Sequence, residues 1–382
     1  MPNTPILNLP YPVGTDWVAD GALNIENLAN GIDTAFQNLG YIGRNVLING
    51  NFQIWQRGTT ITGVNTNAVY LADQWANYTS GGPTINYAQE SSILPVGAFY
   101  ALKATVGTGA APLAGGFLYL GQKLEAANVQ SFLKGTDAAL PFCLSFWVRS
   151  SITGVYIAEL VDEVNTRSVS AAYTIAAADT WQKVILEFPT ETVNKLTYST
   201  NAGLSLNLWL QAGTNFTSGT LQETWGAVTS SKRAVGQVAW ATTTSNTFYV
   251  ANVQLEPAFH TAFEQLDISI QLLRALRYFW RDTKTASGQT FGQGFNTSTT
   301  VGNFLLQHPV TMRAAPVLTF NNATTFAIRY LATTANTTAI SSITTSKNNS
   351  TVSATVGAVL TAGQGSRLAA NAATWIQMSA EL

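Results

Sequence analysis

Five residues on two strand-like runs have the types and spacing to do chemistry. In residues 141–149, Phe142, Leu144, Phe146 and Val148 alternate with Cys143, Ser145, Trp147 and Arg149. In residues 204–211, Leu204, Leu206, Leu208 and Leu210 alternate with Ser205, Asn207, Trp209 and Gln211. A period of two sends the first set of each run to one face of a sheet and the second set to the other. If the two strands are neighbours, Trp147, Arg149, Asn207, Trp209 and Gln211 share one polar face holding two indoles. Indole rings stack on the apolar faces of sugars while amides and guanidinium groups bond hydroxyls, so this face is a candidate saccharide surface. The packing alternative is that a loop or a neighbouring subunit covers both tryptophans. Cys143, inside the apolar run 141–148, reads as a small buried hydrophobe, although the same alternation would leave it only partly buried.

Catalysis would need two convergent carboxylates or a nucleophile with its base. Asp162 and Glu163 are adjacent at a strand end and point apart, and Glu125, Glu159 and Glu187 are isolated in sequence. His260 and His308, the only histidines, fall in loops. No catalytic residue is expected, and the chain reads as a non-enzyme. With Cys143 as the single cysteine there is no intrachain disulfide and no cysteine-based metal cluster. No cofactor is expected.

Composition narrows the partners. Charged residues make up 10% of the 382, against about 25% in ordinary globular domains, so the surface has little to keep other protein surfaces away. A constitutive oligomer is expected. A net charge of -1 with scattered Lys and Arg lacks the footprint of a nucleic-acid or anionic-membrane binder. There is no run of about 18 apolar residues and no basic-then-apolar leader, so neither membrane insertion nor secretion is expected, and synthesis in a cytosol is.

The positioning elements follow from local pattern. Residues 1–20 hold four of the twelve prolines and read as an extended arm carrying Leu9, Tyr11 and Trp17. Residues 22–39 space Ile25, Leu28, Ile32 and Phe36 along one helical stripe, which either packs back or bundles with copies of itself. Residues 44–58, RNVLINGNFQIWQRG, read as the opening strand of a sandwich that residues 246–257, NTFYVANVQLEP, close. Between them lie short runs at 87–90, 99–105, 117–124, 141–149, 155–161, 168–175, 181–188 and 204–211, separated by Gly, Pro, Asn, Asp or Ser. Many short strands without intervening helices mean an antiparallel sandwich or jelly roll. Residues 266–280 return to helical spacing, with Ile268, Leu272, Leu276 and Phe279 on one stripe. Residues 295–382 form a second β unit, thinly cored by its own side chains. The expected division is an arm and helix (1–42), a jelly roll (43–262), a linking helix that can bundle the subunits of a trimer (263–283) and a C-terminal β-sandwich tip (284–382).

Taken as a set, the motifs resemble a domain of tailed-bacteriophage tail fibres and related receptor-binding virion proteins. They are Asn49-Gly50, Trp55-Gln56-Arg57-Gly58, Asp73 with Trp75, Val253 to Glu256, Phe263-Glu264 and Arg277-Tyr278, behind the leader LNLPYPVGTD. The likeness covers roughly residues 1–320, and the segment from His308 to Pro316 is similar to part of such fibre tips. The resemblance implies a homotrimeric fibre of the virion, anchored to tail, adaptor or portal-vertex proteins by residues 1–42. It also implies host-surface adhesion, with a cell-surface glycan as ligand. The alternatives are a head fibre, adaptor or decoration protein with no receptor role, and a capsule depolymerase. The opening and closing strands also look like those of carbohydrate-binding jelly rolls, which often hold Ca²⁺ between them. Here Gln53 and Ala251-Asn252 replace acidic residues, leaving amides and carbonyls near Asn252 as the only donors.

Overall fold

Alternation between core-facing and outward residues builds thirteen strands among the described residues before 258. They are β1 (Thr60–Val64), β2 (Val69–Tyr70), β3 (Ala76–Ser80), β4 (Thr84–Glu90), β5 (Ala101–Thr108), β6 (Phe117–Glu125), β7 (Phe142–Ser150), β8 (Gly154–Asp162), β9 (Arg167–Ile175), β10 (Gln182–Phe188), β11 (Ala202–Ala212), β12 (Gly226–Ala227) and β13 (Thr247–Pro257). The computed structural model describes residues 21–38, 43–357 and 359–382, the side chains of 22, 24 and 33–38 excepted. Two antiparallel sheets pack face to face. One runs β1-β4-β5-β13-β7-β10 and the other β12-β9-β8-β11-β6-β3-β2. Phe142, Leu144, Phe146 and Val148 of β7 and Leu204, Leu206, Leu208 and Leu210 of β11 all enter the shared core, as their period requires.

Residues 44–58 correct the expected opening strand. They lie along β13, with Val46 N–H donating to Leu255 O at 3.0 Å and Val253 N–H to Gly50 O at 2.8 Å, yet they form no regular strand. Asn49 and Phe52 take left-handed φ values of 57° and 55°, which breaks the ladder. Side chains replace it: Asn45 bonds Val253 O and Leu255 N, and Asn49 bonds Ile54 through both its amide atoms. Gly50 is obligatory because a Cβ there would sit 2.1 Å from Val253 O. Cys143 is fully buried, as its apolar run requires and although it alternates with the core-facing residues of β7; Arg44 from this segment lies over the end of β13 and pairs with Glu256 at 3.2 Å. Burial pushes its thiol pKa up to about 12.

The linking helix is shorter than expected. It forms α3 (Ile268–Leu276), Asp267 capping it through Ser269 N, after the 18-residue α1 (Gly21–Asn38) and the one-turn α2 (Thr214–Thr217). Its stripe also rotates: Gln271, Ala275 and Leu276 are buried, while Ile268 and Leu272 face outward. Ala275 and Tyr278 pack on Ile48 and Ile54 of the irregular segment, which fixes the buried side. Phe279 belongs to a strand instead of the helix.

That strand is β14 (Phe279–Lys284), and it starts a second sandwich. β15 (Thr290–Asn296), β16 (Val301–Gln307), β17 (Val317–Phe320), β18 (Phe326–Tyr330), β19 (Thr333–Asn336), β20 (Ala339–Thr345), β21 (Asn349–Thr355), β22 (Gly365–Ala370) and β23 (Thr374–Ser379) complete it. A three-stranded sheet, β14-β23-β17, faces a seven-stranded one, β19-β18-β22-β15-β16-β21-β20. The expected thin core is a real one, filled by Phe304, Met312, Phe326, Ile328, Leu368 and Met378 among others.

The two sandwiches meet in a polar seam built from the motif residues. Gln56 donates to Asp73 Oδ2 at 2.5 Å and to Phe279 O at 2.8 Å. Arg57 pairs with Glu381 at 2.8 Å and covers the Phe279 ring at 3.4 Å. Gln74 also reaches Glu381, and Arg277 grips Glu125 with two bonds of 2.7 and 2.8 Å. Leu9, Tyr11, Trp17 and the Phe36 side chain lie outside the described residues. In α1, Ile25 and Ile32 are exposed and Leu28 is half-buried. No helix among the described residues is long and apolar enough to cross a membrane.

Candidate functional site

The outer face of the seven-stranded sheet of the first sandwich carries a groove of about 380 Å³. Its floor and walls come from four adjacent strands. In β6, Leu118, Leu120 and Leu124 face the core, so Tyr119 and Lys123 face out. The same period turns Tyr78 of β3 outward, half-buried and paired directly with Tyr119, and sets Ser205 and Asn207 of β11 on the groove floor. The Tyr78 and Tyr119 rings stack at 5.0 Å with 19° between their planes. Gly121 makes room for this, because a Cβ there would meet Asn207 Oδ1 at 3.0 Å and Tyr78 Cε2 at 3.1 Å. Glu163 and Arg233 line the opposite wall.

One buried carboxylate organises the polar side. Glu159 of β8, fully buried, accepts from Arg233 Nε at 2.7 Å and Nη2 at 2.8 Å, from Asn207 Nδ2 at 3.1 Å and from Trp209 Nε1 at 3.1 Å. A carboxylate with four donors is satisfied despite its burial, and it fixes the orientation of all three neighbours. Burial works against the charge on Arg233, but the Glu159 carboxylate outweighs it and leaves the guanidinium pKa raised. Burial also pushes the Tyr119 phenol up to about 12 and raises Tyr78 well beyond its ordinary value. Both phenols stay neutral at any physiological pH and can donate as well as accept. Ser205 Oγ donates to Glu163 Oε1 at 2.5 Å. The site thus offers a flat aromatic pair beside amide, hydroxyl, carboxylate and guanidinium groups, which suits a polyhydroxylated ring.

The five residues singled out from alternation do not form one face. β7 and β11 belong to different sheets, so Trp147 and Arg149 lie on the far side of the sandwich from Asn207, Trp209 and Gln211. Arg149 is committed there to Asp179, at 3.1 Å, and to the Tyr249 ring, at 5.0 Å. Asn207 does reach the groove. Trp209 is fully buried beneath Phe216, Tyr119 and Arg233, as the packing alternative requires. Gln211 ties two loops together through Ala110 O and Ala241 N. Tyr78, Tyr119, Lys123, Glu163 and Arg233 were missed. For Tyr119 and Lys123 the alternation of residues 117–124 held the signal.

Asn252, with a left-handed φ of 50°, donates to Gly97 O, while its Oδ1 and that of Asn51 are buried without a partner. These donors are neutral amides, and no group of three His, Cys, Asp or Glu side chains that could hold a metal occurs among the described residues. Calcium affinity rises with ligand charge, so this donor set does not fit a calcium ion.

No family model matches the chain, and no curated protein matches it. Among solved structures, it is similar to the enzymatically active domain of bacteriophage CBA120 tailspike protein 4, at 12% identity and a TM-score of 0.30. That alignment covers 56% of this chain and 21% of the tailspike, so this chain spans about a fifth of its length. A CBM4 structure is similar at 13% identity and a TM-score of 0.30, over 55% of this chain and 97% of the module. TmCBM61, solved with β-1,4-galactotriose, is similar at 12% identity and a TM-score of 0.29, over 56% of this chain and 99% of its own.

Proposed function

We propose that this protein is a saccharide-binding adhesin, with its ligand held in the Tyr78–Tyr119 groove. The observation that carries the proposal is the stacked tyrosine pair beside Asn207 and Arg233, both held by Glu159. Stacking on half-buried rings that line a groove recognises the apolar face of a sugar, and oriented amide and guanidinium groups read its hydroxyls. Binding proceeds without turnover in this reading, since both oxygens of Glu159 are taken up by Arg233 and Glu163 is bonded to Ser205. The motif set supports placement in a phage fibre, as a homotrimer joined through α1 and anchored to the virion by residues 1–42. Weak grooves repeated over three chains would then add through effective concentration.

Glycan-array screening followed by calorimetry on the best oligosaccharide tests the site. Tyr119→Ala and Tyr78→Ala should each weaken binding about tenfold, and Trp147→Ala should leave it unchanged. A loss in Trp147→Ala with none in the tyrosine variants would move the site to the other sheet. A head-fibre or adaptor role is the second reading, favoured because the motif residues Gln56, Arg57, Asp73 and Arg277 serve the seam between the sandwiches and no motif residue lines the Tyr78–Tyr119 groove. Immunogold labelling of virions at the capsid, with no glycan bound, would select it.

A further inference from the structure

Residues 283–382 carry five cationic side chains, Lys284, Arg313, Arg329, Lys347 and Arg367, against one carboxylate, Glu381. That carboxylate faces Arg57 in the seam, and Lys284 pairs with Asp282 at 2.8 Å. Arg313 is tied to the carbonyls of Thr200, Ala380 and Glu381. Arg329, Lys347 and Arg367 remain, and Lys347 does not line the groove that the two arginines share. The register of β18 and β22 sets the arginines directly opposite each other, with Gln293 of β15 next in the row beyond Arg367. Like charges opposed on one sheet face repel, and among the described residues neither forms an ion pair with a carboxylate. Arg329 bonds Ser287 Oγ through Nη2 at 2.8 Å, while its Nε is buried without a partner. Both arginines line an open groove of about 500 Å³ with Thr290, Gln293, Ser366 and Tyr330.

Two adjacent guanidinium forks match one oxyanion, and the amide and hydroxyls around them match the hydroxyls of a sugar. A nucleic acid would need a track of cations, and the other cations of this domain are committed elsewhere or lie outside the groove. We propose that this groove binds the oxyanion of an acidic glycan, a sugar chain bearing carboxylate or phosphate. The site is separate from the Tyr78–Tyr119 groove and stands or falls without it.

Calorimetry on the full chain tests this with four probes: trigalacturonate for carboxylate, a glycerol-phosphate oligomer for phosphate, neutral maltotriose, and a single-stranded oligonucleotide. At least one acidic glycan should bind, weakened tenfold or more by Arg329→Gln and by Arg367→Gln and unaffected by Tyr119→Ala. Inorganic phosphate should raise the melting temperature of the wild type and leave the double variant unmoved. Arg367→Gln, which removes one of two repelling charges, should melt no lower than wild type. The proposal is overturned if neither acidic glycan binds, if the variants bind equally well, if the oligonucleotide binds most tightly, or if Arg367→Gln melts lower.

Discussion

Arg57 Nη2 stands 2.8 Å from Glu381 Oε1, bringing together residues from two different sandwiches, and the same guanidinium lies over the Phe279 ring. Both partners are largely shielded from water, so deleting one strands the other's charge in a dry seam. Arg57→Ala is expected to cost about 3 kcal/mol and to split a single calorimetric unfolding transition into two, one per sandwich. A single transition at the wild-type temperature would contradict this role.

The seam should also respond to pH. Burial raises the Asp73 carboxyl from 3.8 to about 6, against the lowering effect of Gln56 and Arg57, and it raises Glu381 in the same direction. Between about pH 4 and 6 the folded chain keeps a proton on Asp73 that the unfolded chain has lost. Stability therefore falls as pH rises through that window, by up to about 3 kcal/mol from Asp73. Chemical denaturation at pH 4.5 and 6.5 measures the difference, and Asp73→Asn should flatten it.

Trp209 and Tyr119 are expected to separate stability from binding. Trp209→Phe removes the Nε1 bond to Glu159 and some buried ring, costing about 2 kcal/mol with the glycan affinity kept within a few fold. Tyr119→Ala should do the reverse at the groove. Paired melting and binding curves check both, and equal loss of affinity in the two variants would deny the distinction.

Gly50→Ala should be among the most damaging single changes, since the added carbon falls 2.1 Å from Val253 O, a backbone atom that cannot swing aside as a side chain would. A soluble, wild-type-like Gly50→Ala protein would mean that residues 44–58 do not lie against β13 as described. Gly21→Ala, with nothing near its Cβ, is the neutral control.

Much of the first sandwich was legible because each strand's alternation is set by its own burial. The runs at 117–124, 141–149 and 204–211 fold as β6, β7 and β11 within a residue or two. What alternation cannot report is which strands share a sheet, and that is why Trp147 and Asn207, alike in their alternation, lie on opposite sides of the core. Residues 44–58 mimic a strand in their apolar spacing, while left-handed Asn49 and Phe52 turn them aside. Tyr78 escaped because β3 is only five residues long between loops. The stripe through Phe279 failed because that residue pairs with Ser379, a contact a hundred residues away.

Dry ionic contacts such as Arg57 with Glu381 feel little of the surrounding electrolyte, whereas exposed charges are masked within about a nanometre. The two sandwiches of this protein should therefore stay locked equally well in brine and in fresh water, while any grip through the open arginines loosens as the medium grows saltier.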